Sequence, residues 1–209
     1  MNQTQNVIKH LHQACFGAPS CAQNPVFELM SFELLPNTDN TPLMGDIPTI
    51  KGSVSSRQNC LEVTFTLTNI PTTLEVAAFD GANTRHSDYL WEQNCLEIFV
   101  GDTNAHYYEV NASVDGRFAV YEFDSYRHPA SLPPQKSTDI TFQWHKVQIG
   151  SELVYQFSLA FLATSKFKVQ EITRINPCAI LYADHHPIFY AIHHATPPDF
   201  HHKAYWVKF

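Results

Sequence analysis

Residues 60–69 read CLEVTFTLTN, and the alternation within them decides the fold class. Leu61, Val63, Phe65 and Leu67 fall on one side of an extended chain, and Glu62, Thr64, Thr66 and Thr68 on the other. A period of two belongs to a half-buried β-strand, because successive side chains of a strand point to opposite faces. Further strands are expected over 74–79, 95–101, 106–114, 117–123, 139–147, 152–161, 178–183, 188–194 and 203–209. Turn-forming pairs separate them: Asp80-Gly81, Asp115-Gly116, Pro133-Pro134, Ile149-Gly150 and Pro197-Pro198. Short strands at this spacing, with no long helical period between them, predict an all-β antiparallel β-sandwich or jelly roll.

Upstream, residues 18–58 are rich in Pro, Asn, Ser and Thr and read as one or two strands with long loops. Val7, Leu11 and Cys15 are spaced for one face of a short N-terminal helix that Gly17 would end. The expected organisation is therefore an extension over 1–22 and a single domain over 23–209, with no internal repeat and no linker. A chain of 209 residues with 44% hydrophobic and 13% aromatic content can bury a large core, which excludes a mainly disordered protein. Thirteen basic against twenty acidic residues give a formal charge of −7, the wrong sign for a nucleic-acid partner. No run approaches the ~18 apolar residues of a membrane-spanning helix, so no membrane partner is expected. The first residues lack a basic then apolar signal pattern, and a cytoplasmic location is the expectation. There the five cysteines, at 15, 21, 60, 95 and 178, would stay reduced and mostly buried; a Cys15–Cys21 bridge would require export.

Chemistry concentrates in two blocks. In the first, Ser87–Arg127, Trp91 precedes a strand in which Glu97 faces away from Leu96 and Ile98. The next strand puts Tyr108, Val110, Ala112 and Val114 on one face and Tyr107, Glu109, Asn111 and Ser113 on the other. A carboxylate on a covered face is costly unless paired. Glu109 and Asn111 therefore either line a ligand-binding face or belong to a polar network closed by Arg117 or Arg127. The second block is C-terminal, where six of the twelve histidines fall within residues 185–209. His194, Asp199 and His201 could supply a two-histidine, one-carboxylate site for a divalent metal. They could equally be loop-end residues, with His185-His186-Pro187 a loop and Asp199 capping a rigid Pro197–His201 turn that Phe200 plugs. No Gly-x-Ser-x-Gly and no Gly-rich phosphate loop occurs, so catalysis would have to rest on Glu97 and Glu109 acting on a sugar.

The runs LWEQNCLEIFV (90–100), YYEVNASVDGRFAVYEFDSYR (107–127) and HHATPPDFHHKAYWVKF (193–209) resemble the bacterial DOMON-like domain proteins. These are relatives of family-nine carbohydrate-binding modules and of DOMON haem- or sugar-binding domains. The matching motifs are a Trp-Glu, a Cys-x-Glu-x-Phe strand, a Tyr-x-Glu-x-Asn strand, a Tyr-Arg ending and a Pro-Asp-Phe-His, in order over roughly 60–209. The resemblance implies a jelly-roll or immunoglobulin-like β-sandwich that binds a small molecule, most simply a saccharide, without catalysis. It implies Trp91 and Glu97 in the ligand cleft, with Arg117 or Arg127 beside them. Haem-binding relatives use a Met/His axial pair, but Met1, Met30 and Met44 all precede the matching region. No cofactor is therefore expected, with haem or a divalent metal on the C-terminal histidines as the alternative. Whether another protein or a second copy of the chain is also a partner stays open.

Overall fold

The computed structural model describes residues 28–38, 47–72, 74, 78–183 and 185–209. Eleven strands lie within them: β1 (Glu28–Pro36), β2 (Thr49–Arg57), β3 (Cys60–Thr68), β4 (Cys95–Gly101), β5 (Tyr107–Ser113) and β6 (Phe118–Phe123). They continue as β7 (Ile140–Ile149), β8 (Glu152–Phe161), β9 (Arg174–Ala183), β10 (His186–Ala191) and β11 (Val207–Lys208). The chain is all-β, as its alternation dictates: every pairing between these strands is antiparallel. No α-helix occurs among the described residues, and none is long and apolar enough to cross a membrane. The expected N-terminal helix and Cys15–Cys21 pair lie outside the described residues.

The strands follow one another in the order β6-β5-β4-β9-β10-β1-β2-β3-β8-β7, with β11 on β9. Strand β1 turns the corner between the two halves, pairing with β2 over Glu28–Leu34 and with β10 at Leu35 and Pro36. The sheet thus wraps nearly into a barrel. Its end strands β6 and β7 do not pair, but Phe118 stacks on Phe142 with ring centroids 4.4 Å apart. Leu61, Val63, Phe65 and Leu67 of β3, with Phe157 and Leu159 of β8, meet Ile98, Val110 and Val120 from the opposite half in one apolar core. Each such side chain contributes about 1.5–3 kcal/mol by leaving water.

Two-residue turns close β2–β3 and β7–β8, with Gln58 and Gly150 at positive φ. Gly116, at φ 110, turns β5 into β6 with Asp80 O so near that a Cβ would lie 2.8 Å from it. Several expected strands differ. Over 74–79, Leu74 makes one isolated bridge to Ala183 and Ala78 and Phe79 are in no strand; 75–77 lie outside the described residues. Strand β9 begins at Arg174, ahead of Pro177, because Pro177 sits between the β10 ladder, ending at Cys178, and the β11 ladder, starting at Ile175. A missing N–H is tolerated there. His186 and Pro187 already belong to β10 rather than a loop, after a turn with His185 at φ 65. Over 203–209, Lys203–Tyr205 form a 3-10 turn capped by the His202 ring, and β11 keeps only two residues. Glu62 on β3 is buried rather than solvated, with Arg57 Nε 3.3 Å away. Cys60 is disulfide-bonded, departing from the expectation of reduced cysteines; Cys95 and Cys178 are free and buried.

Candidate functional site

Alternation gives β4, β5, β6 and β9 two faces. Leu96, Ile98, Tyr108, Val110, Val120 and Ala179 enter the common core. Glu97, Phe99, Glu109, Asn111, Phe123 and Cys178 take the other face, and they are just as buried. That face is roofed by the turn Leu90–Glu92, the loop after β6 and the segment running from β10 to β11. Between sheet and roof lies a cavity of about 460 Å³. Its polar lining is Glu97, Glu109, Arg127, Ser131, Asp199 and His201, and its aromatic walls are Trp91, Phe99, Phe123, Phe189 and Phe200. The loop 129–134 borders the mouth, where Leu132 is 81% exposed.

The turn that carries Trp91 is anchored by fully buried Leu90 and closed by Gln93 N–H donating to Leu90 O at 3.2 Å. The indole packs edge-on to Tyr89 at 5.3 Å and Tyr121 at 6.0 Å. Glu97 sits opposite Asn111 on β5 and Cys178 on β9, and Cys178 Sγ donates to its Oε2 at 3.8 Å. Its Oε1 has no hydrogen-bond partner among the described residues. Burial, then the negative charge of Glu109, push the Glu97 carboxyl well above the usual carboxylate range, against weaker hydrogen bonds from Cys95 and Cys178. Glu109 accepts from Asn111 Nδ2 at 2.7 Å, while its Oε2 lies 3.5 Å from His201 Nε2 without a hydrogen bond. Burial raises Glu109 to about 7, although the Asn111 hydrogen bond and the Arg127 charge oppose the rise.

The contact between His201 and Glu109 is not an ion pair. Burial first, then Arg127, lower His201 to about 3, against the pull of Asp199, so its imidazole is neutral. Its tautomer follows from its neighbours. The Arg127 backbone N–H donates to Tyr107 OH at 3.0 Å, so the phenol turns its own proton to His201 Nδ1, 2.8 Å away. The ring proton is then on Nε2, facing Glu109. Arg127 is held in the left-handed region at φ 51, a conformation that costs a non-glycine residue about 1–3 kcal/mol. Its guanidinium donates to Asp199 Oδ1 at 2.9 Å, and Tyr126 OH donates to Oδ2 at 2.6 Å. Burial alone would raise Asp199, but these two donors and the Arg127 charge hold it below its ordinary value.

Asp199 also accepts the His201 backbone N–H at 3.1 Å, making the rigid turn that the two prolines suggest. Phe200 follows, its carbonyl held by Asn176 Nδ2 at 3.1 Å and Trp206 Nε1 at 2.7 Å. Two motifs seventy residues apart in sequence, Tyr126-Arg127 and Pro198–His201, thus meet across one carboxylate.

Of the residues singled out in the sequence, Trp91, Glu97, Glu109, Arg127, Asp199 and His201 come together around the cavity. Asn111 stands behind them, fully buried, orienting Glu109. Arg117 is elsewhere, with Nη2 2.6 Å from both Asp115 Oδ2 and Gln93 Oε1. Glu109 is therefore closed by neither arginine directly: Asn111 holds it and His201 faces it. His194 lies outside the cavity, its Nε2 2.7 Å from Leu35 O. The histidine–aspartate set proposed for a metal is not assembled, and no group of three or more His, Cys, Asp or Glu among the described residues could hold a metal ion. Trp91 apart, sequence reasoning missed the aromatic walls. Phe99 could have been found, since it shares the face of Glu97 two positions on; Phe189, Cys178 and the 129–134 loop carry no local signal.

No known family model matches this chain, and no curated protein does. Among solved structures, it is similar to the crystal structure of a "putative carbohydrate-binding protein" from Bacteroides uniformis ATCC 8492, with a TM-score of 0.54. The match is 13% identical in sequence and covers 87% of this chain and 84% of that one. At that identity the likeness shows the fold alone.

Proposed function

We propose that this protein is a non-catalytic binding module, a DOMON-like jelly-roll sandwich whose cavity holds a saccharide or a similar polyhydroxylated small molecule. One observation carries the reading: buried carboxyl oxygens, Glu97 Oε1 and Glu109 Oε2, lack hydrogen-bond partners among the described residues and belong to side chains lining an aromatic-walled cavity. A buried acceptor left unmade costs about 1–3 kcal/mol, which ligand hydroxyls would recover. Trp91 offers the apolar face on which a sugar ring stacks. The carbohydrate-binding description of the Bacteroides uniformis neighbour agrees with this reading.

Chemistry on a sugar is disfavoured by the same side chains. A glycosidase needs one ionised carboxylate as nucleophile or base beside a protonated one. Here, below pH about 7, burial keeps both Glu97 and Glu109 mainly neutral, and the ionised Asp199 has each oxygen engaged, by Arg127 and by Tyr126. No cofactor enters the reading.

The test is a thermal-shift panel of mono- and oligosaccharides and cell-wall fragments, run on the natural protein and on Trp91→Ala. A ligand at about 100 times its Kd adds roughly 2.7 kcal/mol, a rise in Tm of about 5–10 °C for a chain of this size. The rise is expected to vanish in Trp91→Ala while the unliganded variant still melts cooperatively. Unchanged affinity in that variant would remove Trp91 from the cleft, and a panel without any shift would overturn the saccharide reading.

A further inference from the structure

We infer that the cavity selects an amine-bearing saccharide, with the ligand's ammonium group placed between the carboxyls of Glu97 and Glu109. This rests on the saccharide reading above and narrows it. The two side chains are 2% and 4% exposed, line the same cavity, and come from neighbouring strands, Glu97 pairing with Asn111 and Glu109 with Phe99. Each leaves one oxygen without a hydrogen bond among the described residues. Neutral hydroxyl donors would satisfy those oxygens but would leave the charge problem untouched.

Among the described residues, the surroundings offer no cation to spare. Among the described residues of β4 and β9, Glu97 faces the thiols of Cys95 and Cys178 and acts at longer range on the Tyr182 phenol, and its charged neighbour is Glu109. Glu109 faces Asn111 on its own strand, Tyr121 across the β5–β6 ladder, and His201 and Arg127 from the roof. Tyr121 OH is committed to Asp88 at 2.9 Å, and His201 is neutral. Arg127, the one cation of the lining, is paired with Asp199 at 2.9 Å. Ionising either carboxyl puts negative charge in a lining whose one cation is already paired with Asp199, so a cationic ligand is the partner that stabilises the ionised form. The aromatic walls strengthen the preference, because an ammonium is also attracted to the face of an indole or phenyl ring.

The consequence is measurable as protons. Burial keeps protons on this pair near neutral pH, and an entering ammonium ion displaces one: the protonated pair plus R–NH3+ becomes the complex plus H+. A neutral sugar displaces none. Titration calorimetry in two buffers of different ionisation heat therefore separates the cases, using glucosamine and a chitosan oligosaccharide against N-acetylglucosamine and glucose, with methylamine as the non-sugar amine. The expected result is tighter binding of the two amino sugars with release of about one proton. Glu97→Gln and Glu109→Gln should each weaken that binding by at least about 30-fold, the low end of what losing one partner of a buried charge pair costs. If either variant fails to fold, the proton count and the selectivity of the natural protein still decide. Equal binding of acetylated or neutral sugars without proton release overturns this inference and leaves the saccharide reading standing. Binding of methylamine with no sugar bound keeps the carboxyl pair as an ammonium site and overturns the saccharide reading. Silence from every probe overturns both.

Discussion

Strands β4, β5 and β9 bury both of their faces, yet the two faces have opposite chemistry. On one, Ile98, Val110 and Ala179 pack with no exposed surface into the common core. On the other, one residue along, Glu97, Glu109 and Cys178 are equally shielded from water while one carboxyl oxygen of each glutamate goes without a donor among the described residues. Burial is thus two different things in the same strands. The first face excludes everything and stabilises the fold. The second keeps a cavity and unsatisfied acceptors, at a cost of about 1–3 kcal/mol for each such group. Proteins tolerate that cost where another molecule is to supply the missing partners.

The widest test of this contrast sets one substitution on each face. Ile98→Ala should lower the unfolding free energy by about 2–5 kcal/mol, since the removed atoms leave a void the sheet cannot close. Glu97→Gln, immediately adjacent, should be neutral or stabilising above neutral pH, because it removes a buried ionisable group that has no cationic partner among the described residues. Denaturant unfolding of both variants measures the pair. A loss in Glu97→Gln as large as that in Ile98→Ala would break the comparison and make the cavity face structural.

Next in size is a pH effect. The folded state holds the Glu109 proton up to about 7, whereas the unfolded chain releases it near 4.5. Between those values the folded state binds more protons, so stability falls as pH rises. The unliganded protein should be more stable at pH 5 than at pH 8 by roughly 2–3 kcal/mol from this group. Glu97, also raised, adds its own decline from near 4.5 and carries it to higher pH, while His201, lowered to about 3, adds an opposing rise up to about 6.5. Glu109→Gln should remove the Glu109 share of that decline and leave the shares of Glu97 and His201. A Glu109→Gln profile parallel to that of the natural protein would show that this carboxyl is solvated, and the two faces would differ less than the geometry indicates.

Much of this was legible in the sequence because alternation is a local property. The period of two in 60–69 and 107–114 identifies the strands and sorts Glu109 and Asn111 from Val110 and Ala112 without any knowledge of neighbours. What alternation cannot say is which covered face meets the other half of the sheet and which meets a roof. That depends on register: Cys178 opposite Glu97 and Phe99 opposite Glu109 are decided by strand pairing. Pro177 hid the first residues of β9 for the same reason, since its tolerance comes from the gap between two ladders. The choice between Arg117 and Arg127 also needed three dimensions. Both follow strand-forming runs, but Arg117 folds back on Asp115 two residues away, while Arg127 reaches Asp199 seventy-two positions later. His194 and His201 look alike in sequence, yet only His201 finds a phenol and a carboxyl waiting.

The smallest expected effect is the sharpest discriminator between those two arginines. Arg117→Ala and Arg127→Ala each remove a partly exposed ion pair, and such pairs contribute at most about 1 kcal/mol to stability. Their melting curves should therefore be nearly superimposable. Binding should separate them. Losing Arg127 releases Asp199 from one of its two donors and removes the one cation that favours ionised Glu109, so Glu109 should become harder to ionise. A loss of about 1 kcal/mol, roughly fivefold in Kd, is expected for any ligand identified in the cavity. Arg117→Ala, whose hydrogen bonds go to Asp115 and Gln93, should leave Kd unchanged. Equal weakening by both would mean that the sheet edge at Arg117 shapes the cavity as much as its lining does, and the division of the molecule into a packed face and a binding face would have to include the β5–β6 turn.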